Sequence, residues 1–122
     1  MARESILVVD DNAMNLKLSR VFLVSEGYTV KTASNAEEAF KVLTNFTPRL
    51  ILMDIQLPLL DGYEATRRIK ADPALKHIPI IVVTSYALGG DEAKARAAGC
   101  DAYMAKPYSP KALLAKVREY AR

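Results

Sequence analysis

The 122-residue sequence predicts an α/β domain in which five parallel strands form a doubly wound sheet with helices on both faces. Three observations predict it. Short strand-like apolar runs alternate with helix-like periodicity along the whole chain. The first, third and fourth runs are almost continuously apolar, as strands covered on both faces are. No linker, repeat or low-complexity segment interrupts the alternation, so one domain is expected to fill residues 1–122, with no output domain.

Each element has its own signal. "SILVVD" (5–10) reads as the first strand, and Met14, Leu18 and Phe22, at i, i+4 and i+8, mark an apolar stripe on the helix after it. "YTVKT" (28–32) is the second strand, followed by a helix with Ala36, Phe40 and Leu43 on one side. "LILMD" (50–54) is the third, and the helix from Tyr63 to about Ala71 turns Thr66 and Ile69 inward and stops before Pro73. "IPIIVVTS" (78–85) is the fourth strand. The helix behind it, about Asp91 to Ala98, has only alanines to bury and ends at Gly99, so it should be the least firmly packed of the helices. "AYMA" (102–105) is the fifth strand, and Leu113, Val117 and Tyr120 mark the last helix.

Composition narrows the class. With 51% apolar residues, a chain of this length buries roughly two-thirds of its unfolded surface. No apolar run approaches the ~18 residues of a membrane span, and no leader-like segment follows Met1. Cys100 has no second cysteine with which to form an internal disulfide, which suits a reducing compartment, so a cytoplasmic setting is expected. The net charge of +3 is uneven, with −2 over residues 1–61 and +5 over 62–122. Arg67, Arg68, Lys70, Lys94, Arg96, Lys111, Lys116 and Arg118 are nevertheless scattered over polar helix positions, so they read as solvated faces and no direct DNA contact is expected.

The stretch "LILMDIQLPLLDGY" poses the functional question, because a charged group at the end of a buried strand is costly unless it is solvated, paired or given a cation. Doubly wound folds place their ligand site at the carboxyl ends of the strands. There the first strand delivers Asp10 and Asp11, the third Asp54, the fourth Thr84 and Ser85, and the fifth Lys106 before Pro107. Carboxylates ~4 Å apart at an effective dielectric near ~20 repel by roughly 4 kcal/mol per pair, so either a proton or a hard cation must join them. An incomplete cage of oxygens suits Mg²⁺. With the cation present, an aspartate oxygen is a competent nucleophile toward a phosphoryl group.

"ILVVDDN", "LILMDIQLPLLDGYE", "IIVVTSYA" and "AYMAKPYSP" together resemble the signature segments of response-regulator receiver domains of two-component phosphorelays. The resemblance covers essentially the whole chain and is nearest to stand-alone regulators of the DivK type and the first receiver of the PleD type. It implies a flavodoxin-like (βα)5 sheet with strand order 2-1-3-4-5. It implies that Asp54 is the phosphoacceptor, that Asp11 ligates Mg²⁺ directly, that Asp10 holds the metal through water, and that Gln56 lends its backbone carbonyl. Lys106 would pair with the phosphoryl oxygens, Pro107 would follow a cis peptide bond, Thr84 would close on the phosphoryl group, and Tyr103 would swing inward as an aromatic switch. Gln56 and Tyr86 would control water's access, and a bulky Tyr86 implies slow autodephosphorylation; loss of the phosphoryl group within seconds would contradict it.

The implied protein is a signalling switch and not an enzyme with an outside substrate. Its partners would be a sensor histidine kinase or phosphotransfer protein and a downstream target, reached through the face of the fourth helix, fifth strand and fifth helix. No membrane partner is expected, and phosphorylation-dependent dimerisation is left open, as is the identity of kinase and target.

Plainer roles exist for each residue. Asp10, Asp11 or Asn12 would serve as a helix cap, Lys106 as a surface lysine, Thr84 and Tyr103 as strand residues. Asp61 and Gly62 read as a turn and helix start, His77 as a surface loop residue, and Cys100 as small packing. Other functions fit worse. A flavodoxin-like cofactor binder needs hydroxyls and glycines after the first strand, where "VVDDNA" would repel phosphate. Haloacid-dehalogenase-type phosphatases carry a second Asp two residues after the nucleophile, where this chain has Gln56. A DNA-binding protein would need a recognition helix, for which there is no signal.

Overall fold

The structure, a computed structural model, describes residues 4–84, 91–106 and 108–121. Ser85, Tyr86 and Pro107, singled out above, lie outside the described residues. The elements run in the order β1 (Ser5–Val9), α1 (Ala13–Ser25), β2 (Thr29–Ala33), α2 (Ala36–Leu43), β3 (Leu50–Asp54), α3 (Gly62–Ala71), β4 (Ile80–Thr84), α4 (Asp91–Ala97), β5 (Ala102–Ala105) and α5 (Pro110–Tyr120). The strands form one parallel sheet in the order β2-β1-β3-β4-β5. Among the described residues, no helix is long and apolar enough to cross a membrane.

Side chains alternate across the sheet and split the core into two layers. Leu7, Val9, Ile51, Met53, Ile80 and Val82 face one way and pack with Ala36, Ala39 and Leu43 of α2, Ala65 and Ile69 of α3, and Ala95 of α4. Ile6, Val8, Leu50, Leu52, Ile81 and Val83 face the other way, under Leu23 of α1 and Leu113 and Val117 of α5. Burying both faces explains why β1, β3 and β4 carry almost no polar residues before their ends. β2 lies at the sheet edge and leaves Thr29 and Lys31 exposed.

Helix boundaries follow local chemistry. Asn12, Asn35, Asp61 and Ser109 each accept a hydrogen bond from a backbone N–H three residues on and so cap α1, α2, α3 and α5. Asp61 is therefore the α3 cap, with Gly62 as the first helical residue. At the end of α4, Gly99 adopts a left-handed φ of 100°, its N–H donates to the Arg96 carbonyl at 3.0 Å, and the Cys100 N–H donates to that of Ala95 at 3.2 Å. Ala95 and Ala98 are the buried contacts of this segment among its described side chains.

One expectation is corrected. The Met14–Leu18–Phe22 stripe is not the core face of α1: Met14 is 62% and Leu18 60% exposed, and Phe22 is half-buried. The helix instead buries Leu23 and half-buries Asn15, Leu16, Ser19 and Phe22. Two residues of helix is about 200° of rotation, so choosing Met14 over Leu16 as the reference position points the stripe outward. Apolar residues ring α1 on all sides, and periodicity alone has no contrast with which to choose a face.

Candidate functional site

The carboxyl ends of β1, β3, β4 and β5 come together along one edge of the sheet. Asp10 follows β1, and its N–H donates to the Ala33 carbonyl at 3.1 Å, which holds the backbone in the sheet one residue past the strand. Asn12, not Asp10 or Asp11, caps α1, so neither aspartate is consumed in capping. Asp10 and Asp54 are each 6% exposed, whereas Asp11 is exposed to solvent. Carboxylate oxygens of Asp10, Asp11 and Asp54 all lie within 4.8 Å of one another.

Lys106 reaches this cluster from the end of β5. Its Nζ donates to Asp10 Oδ2 at 3.0 Å and to Asp54 Oδ2 at 3.2 Å, so one ammonium bridges two carboxylates. The Lys106 N–H donates to the Thr84 carbonyl at 2.6 Å, fixing where the side chain starts. Thr84 is buried at the end of β4. The Gln56 N–H donates to Asp54 Oδ1 at 3.0 Å, while the Gln56 side chain is exposed. Asp10 is tied further: its Oδ1 accepts from the Asn12 N–H at 2.9 Å, and its Oδ2 accepts from Asn15 Nδ2 at 3.4 Å.

The electrostatics follow from burial. Desolvation is the largest influence on the Asp54 carboxyl and holds its pKa above the usual carboxylate range, although the Gln56 N–H and the Lys106 charge pull the other way. Desolvation would lower Lys106, but its hydrogen bond to Asp10 and the charges of Asp54 and Asp10 outweigh this and raise it. Tyr108, two residues on, is also raised by burial, against the pull of the Lys106 charge. A cavity of about 330 Å³ opens beside Lys106, between α1 and α5, lined by Leu18, Phe22, Tyr108 and Leu113 among others.

Other predicted residues lie as follows. Tyr103 is half-buried on β5 and packs against the core layer beneath α2, α3 and α4. His77 is exposed in the loop before β4, and Cys100 is half-buried against the core. Two features of the Asp54 loop were not anticipated. A Cβ built on Gly62 would lie 2.2 Å from the Asp54 carbonyl oxygen, so only glycine lets α3 start this close to the phosphoacceptor candidate. Leu59 is 100% exposed with φ at 69°, and the Leu60 N–H donates to the Pro58 carbonyl at 2.8 Å, a tight turn centred on a residue type that disfavours it. Asn15 was also missed, and its only sequence signal is the three-residue spacing from the Asn12 cap.

A parallel sheet ordered β2-β1-β3-β4-β5, with an acidic cluster and one lysine at its carboxyl edge, is the build of a two-component signalling receiver. The family model of the response regulator receiver domain matches residues 6–118. The chain belongs to that family, whose members are signalling switches. It is 41% identical over 117 residues to the polar-differentiation response regulator DivK of Brucella anthropi, covering 96% of this chain and 95% of that protein. DivK of Brucella ovis is 42% identical over 118 residues, with the same coverage. Among solved structures, the receiver domain of sensor histidine kinase PA1611 from Pseudomonas aeruginosa PAO1 superposes with a TM-score of 0.90 at 36% identity, covering 98% of each chain. That domain holds a magnesium ion coordinated in its active site cleft. A CheY-like receiver protein from Methanospirillum hungatei JF-1 gives a TM-score of 0.89 at 34% identity, over 97% of this chain and 93% of the other.

Proposed function

We propose that Asp54 is the phosphoacceptor of a phosphorelay receiver that works with Mg²⁺ and passes its state to a partner protein. The observation that carries this reading is the Lys106 ammonium bridging Asp10 and Asp54 within a cluster of three carboxylates. The residues fit a hard cation: the donors are all oxygens, they stand close enough to share one ion, and exposed Asp11 leaves one side of the cage open to water. Asp11 and Asp54 would hold the ion directly with the Gln56 carbonyl, and Asp10 through water. When bound, Mg²⁺ neutralises charge on the transferring oxygens.

The protein's own groups do the rest. An Asp54 carboxylate oxygen attacks phosphorus, an O–P bond forms, and the N–P bond of a phosphohistidine breaks. Its electron pair stays on the imidazole nitrogen, which regains a proton. Lys106 turns from two carboxylates to the phosphoryl oxygens, and the Thr84 hydroxyl closes on them from the neighbouring strand. Tyr103, one strand position from Met104 and facing α4, then changes its packing. The face of α4, β5 and α5 carries the new state to a downstream protein.

The donor is a histidine kinase or phosphotransfer protein, in the cytoplasm where ATP-fed kinases act. Its docking surface is supported by exposed Met14, Leu18 and Val21 on α1 and the cavity beside Lys106. Intact mass after incubation with acetyl phosphate and Mg²⁺ tests the reading. One added phosphoryl group that disappears with chelator and in Asp54→Asn is expected. No adduct, at any time from seconds onward, would overturn it.

A further inference from the structure

Asp10 is held by a closed ring of three hydrogen bonds. Asp10 Oδ1 accepts from the Asn12 N–H at 2.9 Å, Asn12 Oδ1 accepts from the Asn15 N–H at 3.0 Å, and Asn15 Nδ2 returns to Asp10 Oδ2 at 3.4 Å. The cap of α1 and the orientation of a site carboxylate are therefore one structure. We propose that Asn15 is a positioning residue for Asp10, keeping its carboxylate aimed at the metal position when Lys106 leaves it. The inference rests on the Mg²⁺ reading above.

The donor arrangement supports this role. Among the described residues, Asp10 Oδ2 has two side-chain donors, Lys106 Nζ and Asn15 Nδ2. In the proposed switch Lys106 is withdrawn toward a phosphoryl group on Asp54, and the amide is the donor that stays. An amide is also the suitable group for the task. A lysine or arginine at 15 would cancel the charge that attracts a cation, and a carboxylate would repel Asp10, whereas Asn15 fixes direction without altering charge. The first turn of α1 places it there, because Asn12 anchors the Asn15 backbone and the side chain projects back toward the helix start.

Asn15→Ala separates positioning from helix stability. Alanine keeps the backbone N–H that bonds Asn12 and is the better helix former, so the fold should hold. Mg²⁺ affinity is measured by calorimetry without phosphodonor, and the phosphorylation rate as a function of Mg²⁺ concentration. The Mg²⁺ dissociation constant is expected to rise about tenfold, the low end for a residue supporting a metal ligand. The half-saturating Mg²⁺ for phosphorylation should rise in step, with the plateau rate within about twofold of wild type. Asn15→Ser, too short to reach Asp10, should give the same shift. A Mg²⁺ affinity within twofold of wild type for both variants, with Asp10→Asn clearly weakened, overturns the role of Asn15 alone. Unchanged affinity in Asp10→Asn and Asp11→Asn as well overturns the metal reading beneath it.

Discussion

Lys106 Nζ lies 3.0 Å from Asp10 Oδ2 although the two residues are 96 positions apart in the chain, and the same ammonium touches Asp54 Oδ2 at 3.2 Å. β1, β3 and β5 thus share one cation at the sheet edge. Without a bound metal, Lys106 is what makes the convergence of three carboxylates tolerable. The tolerance can be tested from each side.

Lys106→Met should destabilise the metal-free protein by about 1–3 kcal/mol at low ionic strength, because it leaves two buried carboxylates facing each other. Urea unfolding in chelator measures this, and millimolar Mg²⁺ should restore part of the loss. Equal stability of the variant and wild type in chelator would mean the bridge contributes nothing.

Asp54 makes the opposite prediction. Its carboxyl pKa is raised in the folded state, chiefly by desolvation, so the folded protein binds a proton more readily than the unfolded chain. Stability therefore falls as pH rises through the folded pKa, and at neutral pH the ionised Asp54 burdens the metal-free fold. Asp54→Asn should raise the melting temperature in chelator at pH 7. The gain should shrink as pH falls through the carboxylate range, where Asp54 itself becomes neutral.

Gly62→Ala should damage the site through the backbone. The added Cβ meets the Asp54 carbonyl oxygen at 2.2 Å and Ile55 Cα at 2.8 Å, neither of which is a flexible side-chain end. A loss of about 1–3 kcal/mol is expected even though alanine favours the helix, together with weaker Mg²⁺ binding. Chemical denaturation and a metal titration on the one variant check both parts.

Leu59→Gly should stabilise. A left-handed φ in a leucine costs about 1–3 kcal/mol, and glycine removes the strain for an entropy cost of about 0.5–1 kcal/mol. A melting temperature that falls would contradict strain at Leu59 as a cost that glycine relieves.

The strands were legible because burial on both faces leaves β1 beyond Ser5, β3 and β4 no polar residue until the carboxyl edge is reached, and the end of that apolar run is itself the site signal. Asp10, Asp54 and Lys106 could be placed together because parallel topology puts every strand's carboxyl end on one edge. α1 shows where such reading stops: its apolar residues surround the helix, so Met14 and Leu18 gave no less signal than Leu16 and Leu23. Gly62 and Asn15 were hidden for another reason. Their importance lies in contacts across a loop, to a carbonyl eight residues back and a carboxylate five residues back, at spacings that match no periodicity of helix or strand.

The most direct measurement is reductive trapping of the phosphorylated protein with borohydride, followed by peptide sequencing by mass spectrometry. An acyl phosphate on Asp54 is predicted to convert that residue, and no other carboxylate, to homoserine. Homoserine at Asp10 or Asp11, or a phosphoryl group that resists borohydride because it sits on a hydroxyl or a histidine, would contradict Asp54 as the phosphoacceptor.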